Sequence, residues 1–275
     1  MTAAAHRPPA GPAGGVALVH HEEEVMGTVV TFDLYAPGPV EVAEAVGRAC
    51  SVLHDADAVF STWKPDSPVS RLRRGEISLG EAPAEVADVL DRCRTARQAT
   101  DGWFDPWALP GGVDPTGYVK GWAGQQALEV LRPLDLLGAM VNAAGDIASF
   151  GGPEPGQPFR VGIVEPGSPG RLACVVELTG AVATSGTYER GLHLIDPFSG
   201  RATSGAASAS VTGPDLGLAD ALATALAVAG EAGLDFVADL AGYEGFVIGI
   251  DGGWQWTPGF PFADDGAGPA GPRRT

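Results

Sequence analysis

AVATSGTYERGLHLIDPFSGRATSGAASASVTGPDLGLADALATALAVAG, residues 181–230, sets hydroxyl-bearing residues, a histidine and a long apolar helix in succession. Thr184, Ser185, Gly186 and Thr187 come first, and His193 stands three residues before the Asp196-Pro197 pair. A β-rich run follows from Ala207 to Val211, then a Gly-Pro-Asp turn. From Leu218 to Ala229 nearly every residue is Ala, Leu or Val, which predicts a helix capped by Asp215 and ended by Gly230. Asp220 and Thr224 lie one turn apart on one face of that helix, while Leu218, Leu222 and Leu226 form a different stripe facing the core. A carboxylate and a hydroxyl on an Ala-lined face offer two hard oxygen ligands of the kind a magnesium ion takes. The spacing is equally compatible with a plainer arrangement, in which Asp220 offsets the helix dipole and Thr224 bonds the backbone.

Outward from this stretch the chain alternates. Thr28–Tyr35 reads as a strand, Val40–Phe60 as a helix, and Ser61–Arg74 as a polar loop. Pro83–Thr100 is a second helix, 101–117 a turn-rich loop, and Tyr118–Leu131 a third helix. Short strands are expected at Met140–Phe150 (broken at Gly145-Asp146), Phe159–Val164, Leu172–Leu178, Ala181–Thr184, His193–Ile195 and Ser208–Thr212. A short helix at Leu234–Leu240 and a hairpin of Gly245–Ile250 with Trp254–Thr257 close the pattern. The strands cluster, so the expected class is α+β, with mixed or antiparallel sheets and packed helices. Residues 1–24 read as a disordered leader rich in Pro, Ala and Gly, 25–262 as one folded domain, and 263–275 as a disordered tail. His20 and His21, next to three glutamates, are open to two readings, a metal clasp or a solvated entry strand.

The chain has 275 residues and a formal net charge of −17. Such acidity repels nucleic acid and anionic membrane, so neither is expected as a partner. The three cysteines, Cys50, Cys93 and Cys174, have no CxxC spacing, which argues against a disulfide framework and fits a reducing compartment. The leader lacks an apolar stretch of signal-peptide or membrane-anchor length, and a cytoplasmic location is expected. Only two lysines occur, Lys64 and Lys120. Lys120 falls in the first turn of its predicted helix, where it and the helix N-terminus can meet a phosphate. The Asn142–Asp146 segment, NAAGD, offers backbone donors at a strand-to-strand break, or is simply a hairpin turn.

Eight blocks of the chain, in order, resemble those of one family. They are MGTVVTFDLY (26–35), STWKPDSPVSRL (61–72), DGWFDP (101–106), DPTGYVKG (114–121), VNAAGD (141–146), ATSGTYER (183–190), HLIDPFSG (193–200) and ADALATAL (219–226). The family is ApbE, the FAD:protein FMN transferases, and the resemblance runs from about Met26 to Tyr243. It implies a magnesium-dependent catalytic domain that binds FAD in a cleft. A threonine hydroxyl of an acceptor flavoprotein attacks the FMN-side phosphorus, AMP leaves, and FMN stays attached through a phosphoester. By the same resemblance, Asp220 and Thr224 with the carbonyls of Gly117 and Ala223 hold the metal. Asp114 and Lys120 contact FAD, and Met26, Trp63, Trp103, Phe104 and Asp105 line its rings and adenosine. Asn142, Thr184 and Leu194 complete the FAD contacts, and His193 is the implied general base. Trp63 stands where the family has tyrosine, and Ala144 where it has the first glycine of its GGD. The short link between the third and fourth blocks implies a more open cleft. Two other activities fit the same residues: an FAD pyrophosphatase giving FMN and AMP, and a non-catalytic flavin-binding protein.

Overall fold

A hairpin of β1 (Ala17–Val25) and β2 (Thr28–Ala36) opens the chain, and four helices follow: α1 (Ala43–Phe60), α2 (Pro68–Arg73), α3 (Ala84–Ala99) and α4 (Thr116–Leu131). Five strands come next, β3 (Gly138–Ala143), β4 (Asp146–Gly151), β5 (Phe159–Val164), β6 (Leu172–Leu178) and β7 (Ala181–Gly186). After them lie β8 (Ser208–Gly213), α5 (Leu216–Ala229), α6 (Leu234–Ala238), β9 (Glu244–Ile248) and β10 (Trp254–Trp256). These elements belong to a computed structural model that describes residues 15–109, 111–168, 170–186, 194–202 and 205–263.

The main sheet has eight strands in the order β1-β2-β3-β4-β7-β8-β9-β10, and every pairing in it is antiparallel. Strand alternation sends Phe32, Leu34, Val141, Ala148, Ala183, Val211 and Val247 to one face, where α1, α4 and α5 cover them. Tyr35, Met140, Ile147, Val182, Phe246 and Ile248 go to the other, against the β5–β6 hairpin and Phe260. The result is three layers, helices, sheet and hairpin, with an apolar core on each side of the sheet.

α5 has the limits its composition dictates. Asp215 caps it, the side chain accepting from the Leu218 N–H at 2.8 Å, and Gly230 ends it at φ 68°. Its burial differs from the expected amphipathic stripe. Eleven of its 14 residues are buried, because it lies between the sheet and α4. Asp220 is therefore only 3% exposed, and Leu218 is the leucine left partly open. The apolar stretch Leu216–Ala238 is long enough to cross a membrane by composition, but it is 61% buried in this core.

Three expectations need correction. The folded domain starts at Ala17, not at 25, because β1 pairs with β2 along its full length from Ala17↔Ala36 to Val25↔Thr28. An edge strand exposed on one side tolerates the polar HHEEE run, in keeping with the entry-strand reading of His20 and His21, and only the leader boundary moves. The Ser61–Arg74 loop contains α2, which starts at Pro68 with Ser67 accepting from the Ser70 N–H at 3.0 Å. Proline at the first helical position is a start signal, not a breaker. The strand expected at His193–Ile195 is reduced, among described residues, to a single bridge, Ile195↔Ala202. Residues 1–14 and 264–275, the bulk of the expected leader and tail, lie outside the described residues, whereas Ala263 is buried and its N–H donates to the Val175 carbonyl at 2.9 Å.

Candidate active site

The site is built on the crossing of α4 and α5. A Cβ placed on Gly121 would lie 2.4 Å from the Leu216 carbonyl oxygen and 2.9 Å from Asp220 Cβ, and one on Gly217 would lie 2.9 Å from the Tyr118 ring. Hydrogen in place of a side chain lets the two helices touch backbone to backbone at these points. That contact brings Asp220 onto α4, where its Oδ2 accepts from the Gly121 N–H at 3.0 Å. In a regular helix this N–H serves the carbonyl four residues earlier, that of Gly117. One turn along α5, Thr224 meets the same part of α4, its Oγ1 3.5 Å from the Cβ position of Gly117. From β7, Ser185 Oγ lies 3.3 Å from Thr224 Oγ1. A buried carboxylate, two hydroxyls and the Gly117 backbone thus form a cluster of hard oxygen donors. The donor chemistry fits magnesium and not a thiophilic metal. Ala223 is fully buried in α5 beside them. Burial pushes the neighbouring Tyr118 phenol and Cys93 thiol up to about 12, so both stay protonated well above neutral pH.

Lys120 leaves the same turn of α4 and forms an ion pair with Asp146, whose side chain is 1% exposed. Asp146 also accepts from the Thr184 N–H at 3.2 Å, and Thr184 Oγ1 lies 2.8 Å from Ser210 Oγ. Lys120 is thereby held against a buried carboxylate. Asp146 opens β4 after a tight turn in which Ala144 (φ 54°) and Gly145 (φ 98°) are both left-handed. Asn142 secures the turn, its Oδ1 accepting from the Gly145 N–H at 2.8 Å.

The aromatic and acidic residues continue the surface. Phe104 is buried, with its ring edge 3.4 Å from the Cβ position of Gly117. Trp103 packs edge-on against Phe198 with centroids 4.9 Å apart. A cavity of about 290 Å³ beside them is lined by Arg97, Gln98, Asp101, Asp105, Pro197 and Phe198. Asp105 pairs there with Arg97 at 2.6 Å and accepts from the Trp107 N–H at 2.9 Å. Asp114 does structural work at the start of α4: it accepts from the Thr116 N–H at 3.1 Å and pairs with Arg73 at 3.1 Å. Met26, at φ 53°, forms the β1–β2 turn with Gly27. Trp63 is 93% exposed, a bare indole face, while Leu194 is buried in the helix-side core. His193 lies outside the described residues, as do the last four residues of the ATSGTYER block.

The structure therefore gathers Asp220 and Thr224 beside α4 at Gly117 and Gly121, links Lys120 to Thr184 through Asp146, and places Asp105 at the cavity, with Trp103 packed on its lining residue Phe198. Sequence reasoning missed Ser185 and Asp146 as members. Asp146 was visible as the last letter of VNAAGD, but its partner is 26 positions away (120 to 146), and only the fold pairs them.

A family model described as "ApbE family" matches residues 26–111 and 108–247. A curated relative, the FAD:protein FMN transferase of Rhodobacter capsulatus, is 38% identical over 128 residues, 43% of this chain. The match spans 24% of that relative's length. The ApbE protein of Thermotoga maritima superposes with a TM-score of 0.77 at 20% identity, covering 88% of this chain and 97% of that one. The flavin transferase ApbE of Vibrio cholerae superposes at 0.74 with 21% identity and the same coverage. Motif blocks, family model and three-layer fold agree, and the chain belongs to the ApbE family.

Proposed function

We propose that the protein transfers FMN from FAD to a threonine of an acceptor flavoprotein and releases AMP. The observation that carries this reading is the oxygen cluster at the α4–α5 crossing, with Lys120, the residue before Gly121, paired to Asp146. Family membership and the name of the R. capsulatus relative support it. Asp220, Thr224 and the Gly117 carbonyl, with the Ala223 carbonyl behind them, would hold magnesium. When bound there, the ion supplies charge neutralisation on the pyrophosphate of FAD.

The chain's own groups do the rest. Asp220 is fixed in place by the Gly121 N–H, so a carboxylate is aimed at the cluster before any ligand arrives. Lys120, held by Asp146, presents a positive charge to the phosphates without swinging freely. The indole of Trp63 and the Trp103–Phe198 pair offer flat apolar faces for the ring systems, and Asp105 offers a carboxylate for hydroxyl or amino groups. His193 accepts the proton of the threonine hydroxyl as its oxygen bonds to the FMN-side phosphorus and the bond to AMP breaks. Three free, buried cysteines support a cytoplasmic location.

The test is incubation with FAD, magnesium and a threonine-bearing acceptor flavoprotein. An acceptor band that stays flavin-fluorescent after denaturation, with one AMP per flavin, is the expected result. Free FMN and AMP with an unlabelled acceptor would assign the site to hydrolysis instead.

A further inference from the structure

A second cluster of ligating side chains lies between β1 and α1, away from the oxygen cluster. Along β1, residues two apart share a face, so His21 and Glu23 both turn toward α1. Along α1, Cys50 and His54 are one turn apart and share a face. The two faces meet. His21 Nε2 lies 3.3 Å from Glu23 Oε2 and 3.4 Å from Cys50 Sγ, and His54 Nε2 lies 2.7 Å from Glu23 Oε1. Ligand atoms of His21, Glu23 and Cys50 all fall within 4.8 Å of one another.

We infer that His21, Glu23 and Cys50 form a binding site for a zinc-class transition metal ion, with His54 holding the Glu23 carboxylate from outside it. The spacing argues for it. Ligands about 2.0–2.3 Å from a tetrahedral zinc stand about 3.3–3.8 Å apart, and the two His21 contacts match this without any rearrangement. So does the donor set. One sulfur, one imidazole and a carboxylate, with water in the fourth position, suit zinc or cobalt and are poor for magnesium. Cys50 is buried, whereas His21 and His54 are partly open, so an ion has a path in from solvent. His20 points away, to Asp33 and Glu22 on the opposite face, and takes no part. The metal would pin the edge strand β1 to α1 and so hold the β1–β2 turn, with Met26 at its tip, against the helix layer. The inference stands independently of flavin transfer.

The test uses the metal-stripped full chain titrated with cobalt(II), then zinc. One equivalent of cobalt should give a thiolate-to-cobalt charge-transfer band with strong tetrahedral d–d bands, and zinc should bleach both. Cys50→Ser should lose the charge-transfer band, and the solvent-facing His54→Ala, which leaves the core untouched, should weaken cobalt at least about tenfold. Asp220→Asn should bind cobalt as the wild type does, and zinc should raise the melting temperature of the wild type but not of Cys50→Ser. Absence of a thiolate band at stoichiometric cobalt overturns the inference. So does a band that survives in folded Cys50→Ser, which would belong to Cys93 or Cys174.

Discussion

Replacing Gly121 by alanine tests the claim that a missing side chain sets the active-site geometry. The new Cβ would lie 2.4 Å from the Leu216 carbonyl oxygen, so α4 and α5 must part by about 1 Å to regain the 3.4 Å of ordinary contact. Neither helix is free to move: α4 is packed on α1 and β3, and α5 on β7 and β8. Overpacking of this kind costs about 1–3 kcal/mol, against about 1 kcal/mol regained from alanine's better helix propensity. The net loss is therefore up to about 2 kcal/mol, a fall in melting temperature of up to roughly 8 °C for a domain this size. The same movement stretches the 3.0 Å bond from the Gly121 N–H to Asp220 past hydrogen-bonding range, so magnesium affinity should fall with stability. Gly47 is the control: it lies in α1 with nothing within 4 Å of its Cβ position, and Gly47→Ala should stabilise by about 0.5–1 kcal/mol. Thermal melts and magnesium-dependent turnover of both variants decide the matter. If Gly121→Ala melts at or above the wild type and keeps its magnesium response, the crossing does not depend on this glycine and the argument fails.

Four further outcomes are expected. Asp220→Asn keeps the shape and an acceptor for the Gly121 N–H but loses the charge, so the fold should survive while magnesium-dependent turnover falls at least tenfold or so; chelation of the wild type should stop turnover and magnesium alone restore it. Lys120→Met leaves the buried Asp146 carboxylate without its cation and should cost about 3 kcal/mol in urea unfolding, with Asp146→Asn in the same chain recovering much of the loss. His193→Ala should lower turnover by roughly 10²–10⁴ with FAD affinity little changed, measured by flavin fluorescence, and wild-type turnover should rise through about pH 6.5. Burial raises the Cys93 and Cys174 thiols from 9.0 to about 12, so the native chain keeps protons that the unfolded chain sheds. Their contribution is intact below pH 9 and should fade above it by up to about 1.4 kcal/mol per pH unit for each thiol, a slope that Cys93→Ala should flatten in urea titrations.

What could be read from sequence was what local physics decides. α5, its Asp215 cap and its Gly230 stop rest on propensity and capping within one segment, and they came out within two residues. β5 and β6 were legible in the same way, from apolar runs bounded by turns. β1 is legible only as an entry strand at His20 and His21, because an edge strand meets one neighbour and its remaining residues are polar enough to resemble a leader. α2 was hidden by a proline that begins a helix as readily as it breaks one. For the candidate site, the one-turn spacing of Asp220 and Thr224 left a structural reading open and only the motif resemblance singled the pair out, whereas the burial of Asp220 and its bond to Gly121 depend on a crossing between segments about a hundred residues apart. The pairing of Lys120 with Asp146 is equally tertiary, since no pattern within α4 or β4 specifies it.

The position of β2 in the sheet bears on how the chain is made. Its inner neighbour is β3, with Val30 opposite Ala143. At about 5–20 residues per second, a ribosome needs roughly 6–23 s to travel from one to the other. All four helices from α1 to α4 emerge in that interval, before the strands they will cover. A two-stranded hairpin is marginal alone, so β1 and β2 must wait with the apolar side of Phe32 and Leu34 unpaired and the helices without a floor. The N-terminal half cannot finish folding ahead of the C-terminal half. Chains that stall before Gly138 are accordingly the ones that need a chaperone to hold them.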